Sequence, residues 1–558
     1  MSAEPVTRCV IRAGAYYDSV VLMQLQRALA TLPGVLDAGV VMATPANRDL
    51  LAASGLLPGR EVAAGPNDLM IAVTAESEAA AGEALARIDS LLQVRRGETG
   101  QDFRPRSLAS ALKQLPEARW VLVSVPGRHA AAVADEALEL GRNVFLYSDN
   151  VPLSEEVDLK RKARERGLLV MGPDCGTAVV GGTGLGFSNR VRPGSIGLIG
   201  ASGTGLQAVL AHLHSRGHGI SQAIGTGGRD LAAEVGGITA AQAIDLLARD
   251  PDTQVIVLIS KPPAPEVARR LIALARAADK PVVVYFLGAA VPGSRLGDVR
   301  FATSLEGAAE EAIRLLDKKE KSTLDRPAGF AAGQRWIRGL FSGGTLALET
   351  QQGLAPLLGP ADRQGHAILD LGADEYTVGR LHPMIDFDLR LRRLRQEAVD
   401  PQVALLLLDV VLGDGAHADP AGELAPAIER VRAEAQAAGR TLDVAVLVVG
   451  TDLDPQDLGQ QIATLEKAGA RVCRSVSELV VHAAERMDEV QGENPWSEFP
   501  VVPLEAVCGP VAAVNVGLES FYDSLASQGA RAVQVEWKPP AGGNERLAGI
   551  LARMKGSR

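Results

Sequence analysis

The chain has 558 residues, more than one hydrophobic core spans, so roughly three to five domains are expected. Apolar residues make up 47% and charged residues 22%, an ordinary globular balance, while aromatics are only 4%, which suits helices lying close on parallel sheets. A net charge of −10 without a basic run argues against a nucleic-acid surface, and four scattered cysteines (Cys9, Cys175, Cys473, Cys508) without CxxC spacing argue against a zinc site or a disulfide framework.

Residues 1 to about 100 read β-α-β, then β-α. Strands are expected at 6–11, 38–42 and 68–74, with helices at 20–32 and 77–92, which together make a small α+β domain of the split βαβ kind. A polar linker runs from Gly97 to Arg106. From 107 to 192 strand and helix alternate, with apolar strands at 120–125, 143–147 and 168–171, as in a truncated Rossmann-like unit. A second unit (193–320) has strands at 196–199, 220–224, 255–259 and 281–286, and a charged linker, 317–327, closes it. A third unit (330–490) repeats that pattern, with strands at 337–341, 367–371, 403–408, 443–449 and 471–473. The two read as flavodoxin-like domains facing one another. The segment 491–558 is less regular, with apolar stretches at 512–516 and 532–537.

Each flavodoxin-like unit opens with a strand that turns through small residues into a helix. The first turn is Gly200-Ala201-Ser202-Gly203-Thr204-Gly205 and the second Ser342-Gly343-Gly344-Thr345. Such turns leave free N–H groups at a helix start and so make anion sites. A single turn reads as N-capping and close packing. The pair reads as a phosphate or acyl phosphate site between the second and third units, with hydroxyls of Ser202, Thr204, Ser342 and Thr345 as further donors.

Other residues carry possible chemistry. Lys261 follows a buried strand at the carboxyl edge, where α/β sheets bind ligands, and Pro262 and Pro263 stiffen its backbone. Arg380, His382 and Asp386 form a compact polar run; Arg380 suits a carboxylate and His382 proton transfer or hydrogen bonding. Asp174 and Cys175 end a strand as secondary candidates; the cysteine reads as a nucleophile or, preferably, a packed small residue. Asp409, Asp414 and His417 crowd one loop, either as metal ligands or, preferably, as a solvated loop. His212 and His214 lie on different helix faces, so no metal pair is expected. No apolar stretch reaches membrane length and no leader pattern opens the chain, so a cytoplasmic location is expected.

The ordered motifs resemble a known family. Residues 107–315 are similar to the α subunit of succinyl-CoA synthetase and other NDP-forming acyl-CoA synthetases, through Gly172-Pro173-Asp174-Cys175-Gly176, the Ser202 turn and Gly225-Thr226-Gly227-Gly228. Residues 335–490 resemble the β-subunit ligase domain, through the Ser342 turn and Leu369-Asp370-Leu371-Gly372-Ala373. Over its whole length the chain resembles the FdrA family, which shares GPDCGT at 172–177, SKPP at 260–263, GRLHPMID at 379–386 and the PPAGGN tail. It departs from the synthetases at four places. The loop that carries their phosphorylated histidine reads Ser294-Arg295-Leu296-Gly297-Asp298-Val299-Arg300-Phe301, and Ser260-Lys261-Pro262-Pro263 replaces the acid that orients that histidine. An ATP-grasp domain and a GxGxxG fingerprint are not recognisable.

The resemblance implies a subunit of oxamate carbamoyltransferase in allantoin (purine) catabolism, working with two other polypeptides in a hetero-oligomer. Carbamoyl phosphate and oxamate would give oxalurate and phosphate, with the physiological flow reversed. Lys261 and the two turns would hold phosphate, Arg380 the carboxylate, and His382 would polarise the carbonyl or move a proton. No CoA, ATP, metal or other cofactor is expected. The alternatives are an NDP-forming acyl-CoA synthetase subunit whose histidine comes from a partner, and a non-catalytic scaffold that binds phosphate metabolites.

Overall fold

The computed structural model describes residues 5–12, 19–57, 64–65, 68–93, 104–288, 295–318, 329–331, 333–358, 365–488 and 500–539. Ser294, the tail motif from Pro540 onward and most of the two linkers expected at 97–106 and 317–327 lie outside the described residues. The chain divides into two units, one made of 1–151 with 511–558 and the other of 152–510.

In the first unit, an antiparallel three-stranded sheet places Leu69–Ala75 between Val6–Arg12 and Val35–Met42. One face is covered by Leu22, Leu25, Leu29, Ala84 and Ile88 from the flanking helices. The other is covered by Leu51 and Leu56, around a helix the sequence reading lacked, Pro45–Ala53. Its signal was readable: Thr44 accepts from the Asn47 N–H and a proline takes the first turn.

The same unit holds a parallel sheet in which Arg531–Val535, Ala512–Val516, Trp120–Val123 and Asn143–Leu146 are neighbours. The division between 107–192 and 491–558 therefore needs correction, because C-terminal strands complete the sheet begun at Trp120. Pairing across such a sequence distance leaves no local trace.

The second unit holds two doubly wound sheets. Numbered along the chain, the parallel strands Pro193–Gly200, Ile220–Gly225, Val255–Ser260, Val282–Phe286 and Val299–Phe301 stand in the order 2-1-3-4-5. The strands Trp336–Phe341, Ala367–Asp370, Val403–Val411, Asp443–Val449 and Arg471–Cys473 repeat the order. This is flavodoxin order, with its topological switch between strands 1 and 3.

The first of these sheets is wider than expected. The hairpin Thr177–Val180/Thr183–Gly186 adds to it antiparallel to Ile220–Gly225. The expected loop 294–301 contains a second small hairpin, Arg295–Leu296 with Val299–Phe301. Both faces of each sheet are buried, which explains the near-continuous apolar strands such as Val403–Val411. The helix after the Lys261 loop, Pro265–Ala277, packs against Gly344–Leu358, the helix that the Ser342 turn opens.

Candidate functional site

Ligands of doubly wound sheets bind at the carboxyl ends of the strands flanking the switch point. In the first subdomain those ends are Gly200-Ala201-Ser202 and Ser260-Lys261. The strands run in register, Ile259 opposite Gly200, and the Ala201 N–H donates to the Ile259 carbonyl (3.0 Å). Lys261 thus comes level with the Ser202 turn. It is exposed and makes no ion pair or hydrogen bond among the described residues.

The helix Gly203–Ser215 starts on this edge. Ser202 Oγ accepts from the Gly205 N–H (3.1 Å), which uses that hydroxyl as a cap. The N–H groups of Gly203 and Thr204 have no acceptor among the described residues, and Thr204 is exposed. This turn therefore offers open donors at the positive end of a helix.

Two loops wall it. Gly225 and Gly227 lie against the 172–177 loop so closely that any side chain would strike Cys175 Sγ or the Pro173 carbonyl. Below them sits a charge cluster with no exposed side-chain surface on Lys160, Glu156 or Asp230. Lys160 Nζ donates to Glu156 Oε1 (2.9 Å), Asp230 Oδ1 (2.8 Å) and the Thr226 carbonyl (3.0 Å), which satisfies all three of its protons. Asp230 also accepts from the N–H groups of Thr239 and Ala240, so the lysine ties the glycine loop to the start of the helix Ile238–Arg249. The sequence reading missed this cluster. Its trace was the i, i+4 pair Glu156/Lys160 on a helix facing a sheet.

Cys175 is buried, and burial pushes its thiol up to about 12. It is protonated at neutral pH, which fits the packed-residue reading rather than a nucleophile.

The second subdomain is built alike but filled differently. Asp409 lies in the strand Val403–Val411, one step beyond the Leu340–Leu408 register pair. The expectation that Asp409 belongs to a solvated loop is corrected: its side chain is 0% exposed. It accepts from the Ser342 N–H (2.7 Å), Ser342 Oγ (3.0 Å) and the Gly343 N–H (2.9 Å). Arg390, 1% exposed, supplies a further donor at 2.9 Å. The Ser342 and Gly343 donors, read as phosphate ligands, are thus already bonded to an internal anion. Asp370 Oδ2 adds negative charge next to Gly344, 2.6 Å from where a Cβ would sit. An acid inside an apolar strand was the readable signal, since a buried carboxylate must be paired.

His382 is half-buried. The Met384 N–H donates to its Nδ1 (3.3 Å), which leaves Nε2 as the protonated nitrogen of the neutral ring. That Nε2 lies 2.9 Å from the point where a Cβ on Gly372 would sit, and Asp370 Oδ1 lies 3.1 Å from the same point. Arg380 is exposed on the preceding turn. Asp386 is a local cap, accepting from the Asp388 N–H (3.0 Å). Asp414 and His417 belong to a loop that Gln456 pins through Gly413 and the His417 carbonyl. Gathered at this edge are therefore His382, Asp370, the Ser342 turn and Asp409.

Three family models match. Residues 2–105 match the AllF heavy metal-associated domain, 193–309 the succinyl-CoA ligase like flavodoxin domain and 340–486 the CoA-ligase model. Cys9 is the single cysteine in the first of these stretches, and no cluster of three or more His, Cys, Asp or Glu that could hold a metal occurs among the described residues. The described residues of that stretch do not fit a metal site. No helix among the described residues is long and apolar enough to cross a membrane.

The uncharacterized protein YahF of Escherichia coli K12 is 41% identical over 494 residues, covering 84% of this chain and 96% of YahF. The ADP-forming sulfoacetate-CoA ligase subunit SqwL of an Acholeplasma species is 28% identical over 218 residues, 37% of this chain and 72% of that subunit. A dinucleotide-forming acetyl-coenzyme A synthetase of Ca. Korarchaeum cryptofilum, solved with phosphate and ADP, aligns over 67% of this chain and 82% of its own at 17% identity and TM-score 0.28. The chain belongs to the family of YahF, FdrA-like proteins that join an AllF-type N-terminal domain to succinyl-CoA ligase-like flavodoxin and CoA-ligase domains.

Proposed function

We propose that this chain is a subunit of a carbamoyltransferase that uses carbamoyl phosphate, with oxamate or a related compound that becomes a ureido product as the acceptor. The observation that carries the reading is the open switch point of the first subdomain, where the N–H groups of Gly203 and Thr204, with no acceptor among the described residues, stand beside Lys261. Together they suit a phosphoryl group. In the second subdomain Asp409 already holds the Ser342 and Gly343 donors, so the phosphate grip narrows to the Ser202 turn and Lys261.

The chemistry asks for positioning and charge stabilisation rather than a covalent intermediate. The acceptor's amide nitrogen attacks the carbamoyl carbon, the C–O bond to phosphate breaks, and the nitrogen's proton leaves with the phosphate as hydrogen phosphate. In this reading Arg380 grips the acceptor carboxylate bidentately, and the His382 Nε2 proton polarises a carbonyl. The 294–301 stretch after the fourth strand supports a route without phosphohistidine, since it holds no histidine.

Lys261→Ala tests the reading. The affinity of the chain for carbamoyl phosphate, measured calorimetrically, should fall about tenfold, the scale of one charged hydrogen bond. An unchanged affinity would remove the phosphate grip.

The ligase relatives favour a second reading, a subunit of an NDP-forming acyl-CoA ligase. Thioester formation that requires both ATP and CoA would support it.

A further inference from the structure

The open helix start has a neighbouring corner of opposite character. Asp174 has φ +56°, in the left-handed region that few side chains adopt. Its loop is packed on the second glycine loop, where Gly227 (φ +84°) lets the Pro173 carbonyl approach. The Thr226 carbonyl of that loop is in turn held by buried Lys160. Two rigid loops therefore fix the Asp174 backbone.

The Asp174 carboxylate is exposed and has no hydrogen-bond or ion-pair partner among the described residues. Its Oδ2 lies 3.5 Å from the point where a Cβ on Gly228 would sit, and the Ala201 carbonyl oxygen lies 3.9 Å from that same point. Two acceptors thus look onto a space kept open by a missing side chain. Ala201 directly precedes Ser202, so this acceptor corner adjoins the donors of Gly203 and Thr204.

A ligand that fills both needs an anionic group for the donors and an N–H group a few bonds away for the acceptors. Acetyl phosphate has no donor hydrogen, inorganic phosphate has only its own O–H, and neither places an amide N–H at the acceptor corner to offset the repulsion from the Asp174 charge. The carbamoyl group has an NH2. We propose that Asp174 is the specificity-determining residue of the phosphate site, selecting a carbamoyl phosphate over other acyl phosphates by accepting its amide protons together with the Ala201 carbonyl. This rests on the carbamoyl phosphate reading above.

The test is calorimetric titration of the full chain with carbamoyl phosphate, acetyl phosphate and inorganic phosphate, using wild type, Asp174→Asn and Asp174→Gly. Glycine accepts φ +56° without strain, so the second variant removes the carboxylate and keeps the loop; circular dichroism checks the fold. Wild type should prefer carbamoyl over acetyl phosphate about tenfold or more, as charge-assisted hydrogen bonds allow. Asp174→Gly should lose that preference by weakening carbamoyl phosphate alone, with inorganic phosphate binding as well or better. Asp174→Asn, which keeps one acceptor oxygen, should fall between. A preference that survives in Asp174→Gly, equal weakening of all three ligands, or no preference in wild type would overturn the proposal. Wild type that binds none of the three would instead sink the carbamoyl phosphate reading, and this inference with it.

Discussion

Asp409→Asn removes one charge and almost no volume from the centre of the second flavodoxin-like subdomain, and its cost follows from the geometry. Arg390 is 1% exposed and would face a neutral amide in place of the carboxylate, with only two main-chain carbonyls and the Phe387 ring as its other partners. Breaking a buried ion pair from one side costs about 3–5 kcal/mol, because the remaining charge cannot regain water. The carboxylate also accepts from two N–H groups and a hydroxyl through two oxygens. An amide has one acceptor oxygen, so its NH2 would face a buried N–H. Unpaired donors of this kind cost about 1–3 kcal/mol, overlapping with the first figure rather than adding to it. At about 2–4 °C per kcal/mol for a domain of this size, the transition of the subdomain should fall by roughly 10 °C. Scanning calorimetry of the full chain reads it. Arg390→Met in a double-mutant cycle should couple to Asp409→Asn by at least about 2 kcal/mol. A shift under about 1 °C, or strict additivity, would refute the claim that Asp409 fills the Ser342 turn as an internal anion.

Three further outcomes are expected. Cys175, with its thiol pushed up to about 12 by burial, should resist iodoacetamide in the folded protein at pH 8 and react fully in denaturant; rapid native alkylation would contradict its packing. Asp419 caps the helix Pro420–Ala437, and the Gln461 side-chain N–H and then the Gly422 N–H hold its carboxyl below the usual range. A depressed carboxyl stabilises the fold above its unfolded pKa of about 3.9 and loses that contribution as pH falls through the folded value. Asp419→Ala should therefore cost about 1 kcal/mol in urea titrations at pH 7 and progressively less below about pH 4; a pH-independent difference would contradict this. Gly227→Ala should weaken phosphate binding and stability together, because φ +84° and the Pro173 carbonyl both exclude a side chain; a variant matching wild type in both would show that the two loops are not fixed to one another.

The sequence carried the strand–helix rhythm well, because buried parallel strands are uniformly apolar and glycine turns mark their carboxyl ends. That rhythm made both flavodoxin-like subdomains legible and put Lys261 beside the Ser202 turn. It did not distinguish the two turns, since Ser202-Gly203-Thr204 and Ser342-Gly343-Gly344 look alike locally and differ through Asp409, dozens of residues downstream. The hairpin 177–186 was not read, and 512–516 was read only as an apolar stretch, for the same reason: register partners lie far away in sequence. The Lys160 cluster was hidden because each member reads as an ordinary surface charge until Thr226 and Asp230 fold over it.

The most direct measurement is phosphate-dependent cleavage of oxalurate, followed as carbamoyl phosphate release, by this chain co-expressed with the other subunits that the proposed function calls for, without ATP or CoA. Release that requires phosphate and falls with Lys261→Ala is the predicted result. No cleavage, together with turnover of a carboxylic acid that depends on ATP and CoA, would contradict the account and return the chain to ligase chemistry.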